Sequence, residues 1–122
     1  MTFQRQQLGL DGEDLAREEL ERRGYLILHR RYRSRFGEID LIARDEATVV
    51  FVEVKTKTDS KFGDPAEMVT SQKQRRLVAM AEEYVSGRSL HNTPCRFDVV
   101  TVDVSVTPAR ITLYQDAFRP GW

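Results

Sequence analysis

The stretch Gly37-Glu38-Ile39-Asp40-Leu41-Ile42-Ala43-Arg44-Asp45-Glu46-Ala47-Thr48-Val49-Val50-Phe51-Val52-Glu53-Val54-Lys55 holds two β-strand patterns and the turn between them, and its reading decides the fold. Successive side chains of a strand point to opposite faces. Glu53 and Lys55 therefore share one face, with Val52 and Val54 on the other. Asp40 belongs to the neighbouring strand, with Ile39, Leu41 and Ala43 expected to face away from it. Val49-Val50-Phe51-Val52 is apolar on both faces, the pattern of a strand covered on both sides. Glu and Lys enter such a strand when they are paired or when they ligate a metal. Two carboxylates and an ammonium on one sheet face suit a hard divalent cation with a water beside it, and hence metal-assisted phosphodiester hydrolysis. A solvated face carrying cross-strand ion pairs is the competing explanation.

Outward from this hairpin, helix and strand patterns alternate. Leu8, Gly12, Leu15, Ala16 and Leu20 form one stripe of a helix over Leu8–Arg23, with Glu13 at its edge and Gly24 as its stop. Tyr25–Tyr32 reads as a strand and Arg33–Gly37 as a turn. Glu38–Arg44 and Thr48–Lys55 are the two strands quoted above. Thr56–Pro65 is polar, with Gly63 and Pro65, and reads as a flap-like loop. A second helix starts at Thr70 or Ser71, capped by a hydroxyl, and runs to Ser86, where Gly87 stops it. Its apolar stripe is Leu77, Met80, Ala81 and Tyr84. Ser89–Pro94 is a loop, Arg96–Val104 a fourth strand, Ser105–Ala109 a turn and Arg110–Tyr114 a fifth strand. The tail from Gln115 to Trp122 lacks periodicity. The order α-β-β-β-α-β-β predicts an α/β fold, a mixed five-stranded sheet flanked by helices, over residues 1–122 as one domain.

Composition narrows the class. A chain of 122 residues, 40% hydrophobic and 31% charged, is large enough to bury roughly two-thirds of its unfolded surface without staples. No apolar run approaches a membrane span, and Met1-Thr2-Phe3-Gln4-Arg5 opens no signal peptide, so a cytoplasmic protein without a membrane partner is expected. Cys95, the single cysteine, excludes an intrachain disulfide and is expected to pack as a small apolar residue in or beside a strand. The net charge is zero but segregated. Six acids against one base occupy Asp11–Glu21, and four arginines without an acid occupy Arg30–Arg35, with Tyr32 among them. Lys55, Lys57, Lys61, Lys73, Arg75 and Arg76 follow. This fits a basic surface meeting phosphates with an acidic surface turned away, or else solvated charged faces. His29 and His91 read as a strand-surface and a loop residue. Arg96 and Asp98 read as an ion pair bracing the sheet.

The pieces taken in order resemble the PD-(D/E)XK nuclease superfamily, the restriction-endonuclease-like fold, and within it the YraN-like family of bacterial proteins related to archaeal Holliday-junction resolvases. The residues carrying the likeness are Gly12-Glu13, Gly37-Glu38-Ile39-Asp40-Leu41-Ile42-Ala43, Val52-Glu53-Val54-Lys55, Lys73 and Arg96-Phe97-Asp98. The resemblance implies Asp40 and Glu53 as metal-ligand carboxylates and Lys55 as the lysine that orients or deprotonates the attacking water. It implies Glu13 as a first-helix acid that joins the metal site, and Glu38, which shares the face of Asp40, is a candidate supporting residue. It implies Mg²⁺ or Mn²⁺ as cofactor, structured or branched DNA as partner and substrate, and a two-fold homodimer. Arg30, Arg31, Arg33, Lys57 and Lys73 are the candidate phosphate contacts. Ile39 stands where the motif's name has proline. The alternative function is a nucleic-acid-binding module of the same fold with little or no cleavage.

Overall fold

The computed structural model describes residues 2–59 and 68–120, with side chains from Gly12 onward in the first stretch. Helix α1 (Thr2–Arg22) is followed by strands β1 (Leu26–Ser34), β2 (Gly37–Asp45) and β3 (Thr48–Lys57). Helix α2 (Ser71–Gly87) then leads to β4 (Cys95–Asp103) and β5 (Arg110–Phe118). The five strands form one sheet in the order β1-β2-β3-β4-β5. All neighbours are antiparallel except β3 and β4, which α2 joins as a parallel pair, as a helical crossover requires. The expected α/β mixed sheet flanked by helices is present, the architecture the restriction-endonuclease-like resemblance implies. No helix among the described residues is long and apolar enough to cross a membrane.

The helices take opposite faces. Ala16 and Leu20 of α1 pack with Leu41, Ala43, Val50, Val52, Val100 and Val102. Leu77, Met80, Ala81 and Tyr84 of α2 pack with Ile39, Ile42, Phe51, Phe97 and Val99. The central strands β3 and β4 are thus buried from both sides, which explains their continuous apolar runs. Gly24, at φ +91°, ends α1, and Tyr25 N–H donates back to the Leu20 carbonyl at 2.9 Å.

Several expectations are corrected. The first helix begins well before Leu8, whose side chain lies outside the described residues. Strand β3 continues past Lys55 to Lys57, because β4 supplies a partner along its whole length. Residues 60–65 of the expected flap, Lys61 and Trp122 also lie outside the described residues. Gln115–Phe118 is not aperiodic tail but the end of β5. Tyr114 pairs with Val99 and Phe118 with Phe97, so four residue steps on β5 span two on β4, and this bulge hides the alternation. Phe118 then stacks on Phe97 with ring centroids 4.8 Å apart. Ile39 does not share a face with Leu41 and Ala43. It packs on the α2 side and they pack on the α1 side, so alternation breaks at Asp40. Cys95 is exposed, because it opens β4 at the sheet's margin before the strand becomes central. His29 is no free surface group, since its ring meets Tyr32 and Tyr84 edge-on at 5.4 Å each.

Candidate metal centre

The ladder between β2 and β3 closes on Leu41 and Val52 and goes no further. Beyond that pair the sheet forks. β2 stays with β1, where Ile39 faces Tyr32, and β3 stays with β4, where Glu53 faces Val99 and Lys55 faces Thr101. At the fork the Val54 N–H donates to Asp40 Oδ2 at 2.8 Å, so a carboxylate takes the place of the missing strand carbonyl. This bond fixes the Asp40 side chain in the opening between the two branches.

Glu53 projects from β3 on the α2 face and is only 4% exposed. Its Oε1 accepts from Lys73 Nζ at 2.6 Å, and Lys55 Nζ stands 3.9 Å from the same oxygen. Its Oε2 is buried without a hydrogen-bond partner. A buried carboxylate oxygen left unpaired is costly, and a cation or a donor brought to it would relieve that cost. Burial first and the Glu53 charge second push the Asp40 carboxyl up to about 7. Glu13 adds to the rise, while the Val54 N–H and Lys73 oppose it. Two carboxylates that repel one another in a poorly hydrated opening favour a proton or a cation between them.

The helices set this geometry. The Thr70 hydroxyl caps α2 by accepting from the Lys73 N–H at 3.2 Å, which puts Lys73 in the first turn with its side chain on Glu53. On the other face α1 lies close over β3 at Gly12. A methyl group there would sit 2.2 Å from Thr56 Oγ1, so glycine permits the approach. That contact carries Glu13 into the electrostatic reach of Asp40.

Asp40, Glu53, Lys55 and Lys73 are therefore brought together. Glu13 is not fully so, because its carboxylate accepts from Arg31 Nε at 2.9 Å, with Arg31 at φ +52°. Among the described residues no group of three His, Cys, Asp or Glu side chains is placed to hold an ion. The Asp40–Glu53 pair with its free oxygen fits a hard cation that keeps most of its waters, as Mg²⁺ does. Glu38 turns to Arg33, 3.3 Å away, and not to the centre. Lys57 lies on the Glu53 face at the far end of β3, opposite Asp103.

Charge segregation along the chain does not produce two opposed surfaces. Arg30 pairs with Asp14, Arg31 with Glu13 and Arg35 with Glu83, so acids of both helices lie against the arginine run. These pairs are at the surface, where each is worth about 0–1 kcal/mol and yields readily to a phosphate. Arg33 is 82% exposed in its side chain.

Sequence reasoning missed partners that lie far apart in the chain. The expected Arg96–Asp98 brace is part of a larger buried network. Asp98 accepts from Tyr25 Oη at 3.1 Å, from Arg96 Nε at 2.8 Å and from the Asp116 N–H at 3.0 Å. Arg96 also reaches Asp45, and Gln115 donates to Tyr25 Oη. Thr101 Oγ1 and Asp103 Oδ2 are two further buried oxygens without partners on the Glu53 face. Their signal was available, as polar residues inside an otherwise apolar strand.

Comparison with known proteins gives a consistent result. The model of the Uncharacterised protein family UPF0102 matches residues 12–102, which includes Glu13, Asp40, Glu53, Lys55 and Lys73. A UPF0102 protein of Caldicellulosiruptor saccharolyticus is 47% identical over 102 residues, covering 84% of this chain and 86% of its own. A second, from Syntrophus aciditrophicus, is 45% identical over 88% of this chain and 85% of its own. A third, from Geobacter metallireducens, is 42% identical over 98% of each.

Proposed function

The chain belongs to the uncharacterised protein family UPF0102, and we propose that it is a metal-dependent nuclease-like protein that hydrolyses phosphodiester bonds in DNA, structured or branched DNA in particular. The observation that carries this reading is the buried Glu53 with one oxygen unpaired, beside an Asp40 held up near neutrality at a fork in the sheet. Such a pair is unfavourable as a brace and useful as a cation seat. Asp40 and Glu53 would hold Mg²⁺ or Mn²⁺, with Glu13 joining if it leaves Arg31. The bound ion would acidify a water and neutralise charge on the phosphoryl oxygens. Lys55, on the Glu53 face, orients the attacking water and takes part in moving its proton. Arg30, Arg31 and Arg33 contact flanking phosphates, exchanging their acid partners for DNA, and Lys57 adds a further phosphate contact. Superfamily membership, a cytoplasmic location and a two-fold homodimer that cuts two strands belong to the same proposal, the first and the last of them resting on the resolvase likeness.

The test is Mn²⁺-dependent cleavage of linear, forked and four-way DNA by the wild-type chain beside Asp40→Asn and Glu53→Gln. Loss of cleavage by at least about a hundredfold in folded variants is expected. Cleavage that survives both substitutions means the centre is misassigned. The second reading, a binding module, draws on Lys73 already neutralising Glu53 and on Glu13 being engaged by Arg31. It predicts little or no cleavage by the wild-type chain on its own. It also predicts salt-dependent DNA affinity that Asp40→Asn keeps and that replacement of Arg30, Arg31 and Arg33 abolishes.

A further inference from the structure

Two lysines approach Glu53, and they do so unequally. Lys73 Nζ makes a hydrogen-bonded ion pair with Oε1 at 2.6 Å, whereas Lys55 Nζ, from the strand that carries Glu53 itself, stands off at 3.9 Å. Lys73 comes from the first turn of α2 and its side chain is 39% exposed, against 4% for Glu53. The acid is fixed and enclosed, and the base reaches it from outside on a flexible stem. A buried carboxylate without a countercharge is strongly unfavourable, so the fold has to supply a cation whenever no metal is present. A lysine suits that task better than an arginine, because a single-point ammonium can leave where a bidentate fork would lock.

We infer that Lys73 is a placeholder cation, which neutralises Glu53 in the metal-free protein and is displaced when a divalent cation enters between Asp40 and Glu53. This rests on the metal-dependent reading above and adds a role for Lys73 that phosphate contact alone does not supply. Displacement frees the ammonium at the mouth of the site, one helical turn from the Thr70 cap, where it can meet the phosphate of an arriving strand. The exchange is one of ion pairs alone. Lys73 keeps its proton and its charge, and Glu53 trades an ammonium for the metal.

The test uses the wild-type full chain. Lysine acetylation is followed by mass spectrometry while Mn²⁺ is titrated, with Lys57 as internal reference and calorimetry reporting Mn²⁺ occupancy. Lys73 acetylation relative to Lys57 should rise about fivefold as the site fills, since the ammonium loses its ion pair. The Lys73→Met variant should bind Mn²⁺ about tenfold more tightly than wild type, and Lys73→Arg more weakly. Unchanged or falling Lys73 reactivity with Mn²⁺ bound overturns the placeholder role and leaves the metal-dependent reading standing. Weaker Mn²⁺ binding by Lys73→Met does the same. Absence of Mn²⁺ binding by calorimetry brings down both.

Discussion

Two acids buried in adjacent strands meet opposite fates in this molecule. Asp98 in β4, on the α1 face, is enclosed by Tyr25, Arg96 and the Asp116 N–H, and each of its oxygens has a donor. Glu53 in β3, on the α2 face, is enclosed to the same degree, yet it has one hydrogen-bonded lysine, a second standing off at 3.9 Å, and an oxygen with nothing to accept from. Where the network is complete, charge contributes to holding β4, β5 and the end of α1 in one arrangement. Where it is incomplete, the fold carries a local cost, which is the observation the proposed cation seat rests on. The contrast separates a completed network from an incomplete one more clearly than burial, which the two share.

The largest effect should come from breaking the complete network. Asp98→Ala leaves Arg96 and Tyr25 without their partner and should cost about 3–5 kcal/mol in denaturant unfolding. Glu53→Gln, equally buried, should cost much less, because part of what it removes is unfavourable. Equal losses at the two positions would erase the distinction.

The next effect is pH-dependent. Asp40 titrates at about 7 in the folded protein against an ordinary 3.8. A raised carboxyl pKa means that the folded state binds the proton more tightly than the unfolded one. The resulting stability is present below pH 4 and is lost as pH rises through 7. Asp40→Asn keeps an acceptor for the Val54 N–H without the charge. In metal-free buffer at pH 8 it should therefore be more stable than wild type by on the order of 3 kcal/mol, with the gain fading toward pH 4. A stability difference between variant and wild type that is the same at pH 8 and pH 4 would show that Asp40 is not strained.

Packing at the rim of the site gives a smaller change. Gly12→Ala drives a methyl into Thr56 Oγ1 and should cost about 1–2 kcal/mol, relieved when Thr56→Ala is added. The smallest belongs to the arginine run. Arg33→Ala should shift stability by less than about 0.5 kcal/mol, while lowering the salt dependence of DNA binding by about one phosphate contact.

The hairpin carrying Asp40 and Glu53 was legible because acids interrupt strands that are otherwise apolar on both faces, a conflict visible in a dozen residues. The two helices and their core stripes were legible for the same local reason. What was hidden depends on contacts across the fold. Lys73 lies 20 residues from Glu53, and Tyr25 lies 73 from Asp98. No spacing rule joins such pairs until the helices are seated on the sheet. The forking of β2 from β3 at Asp40 was also hidden, since nothing in the local pattern marks the residue where the ladder stops. The bulge opposite Asp98 did the same to β5, carrying Asp116 to φ +54° and masking the strand's end as tail.

The most direct measurement is the thermal midpoint at pH 8 with and without Mn²⁺, for wild type, Asp40→Asn and Glu53→Gln. If the unfinished pair exists to seat a cation, Mn²⁺ raises the wild-type midpoint and leaves both variants where they were. A wild-type midpoint indifferent to Mn²⁺, or the same rise in all three, would contradict it.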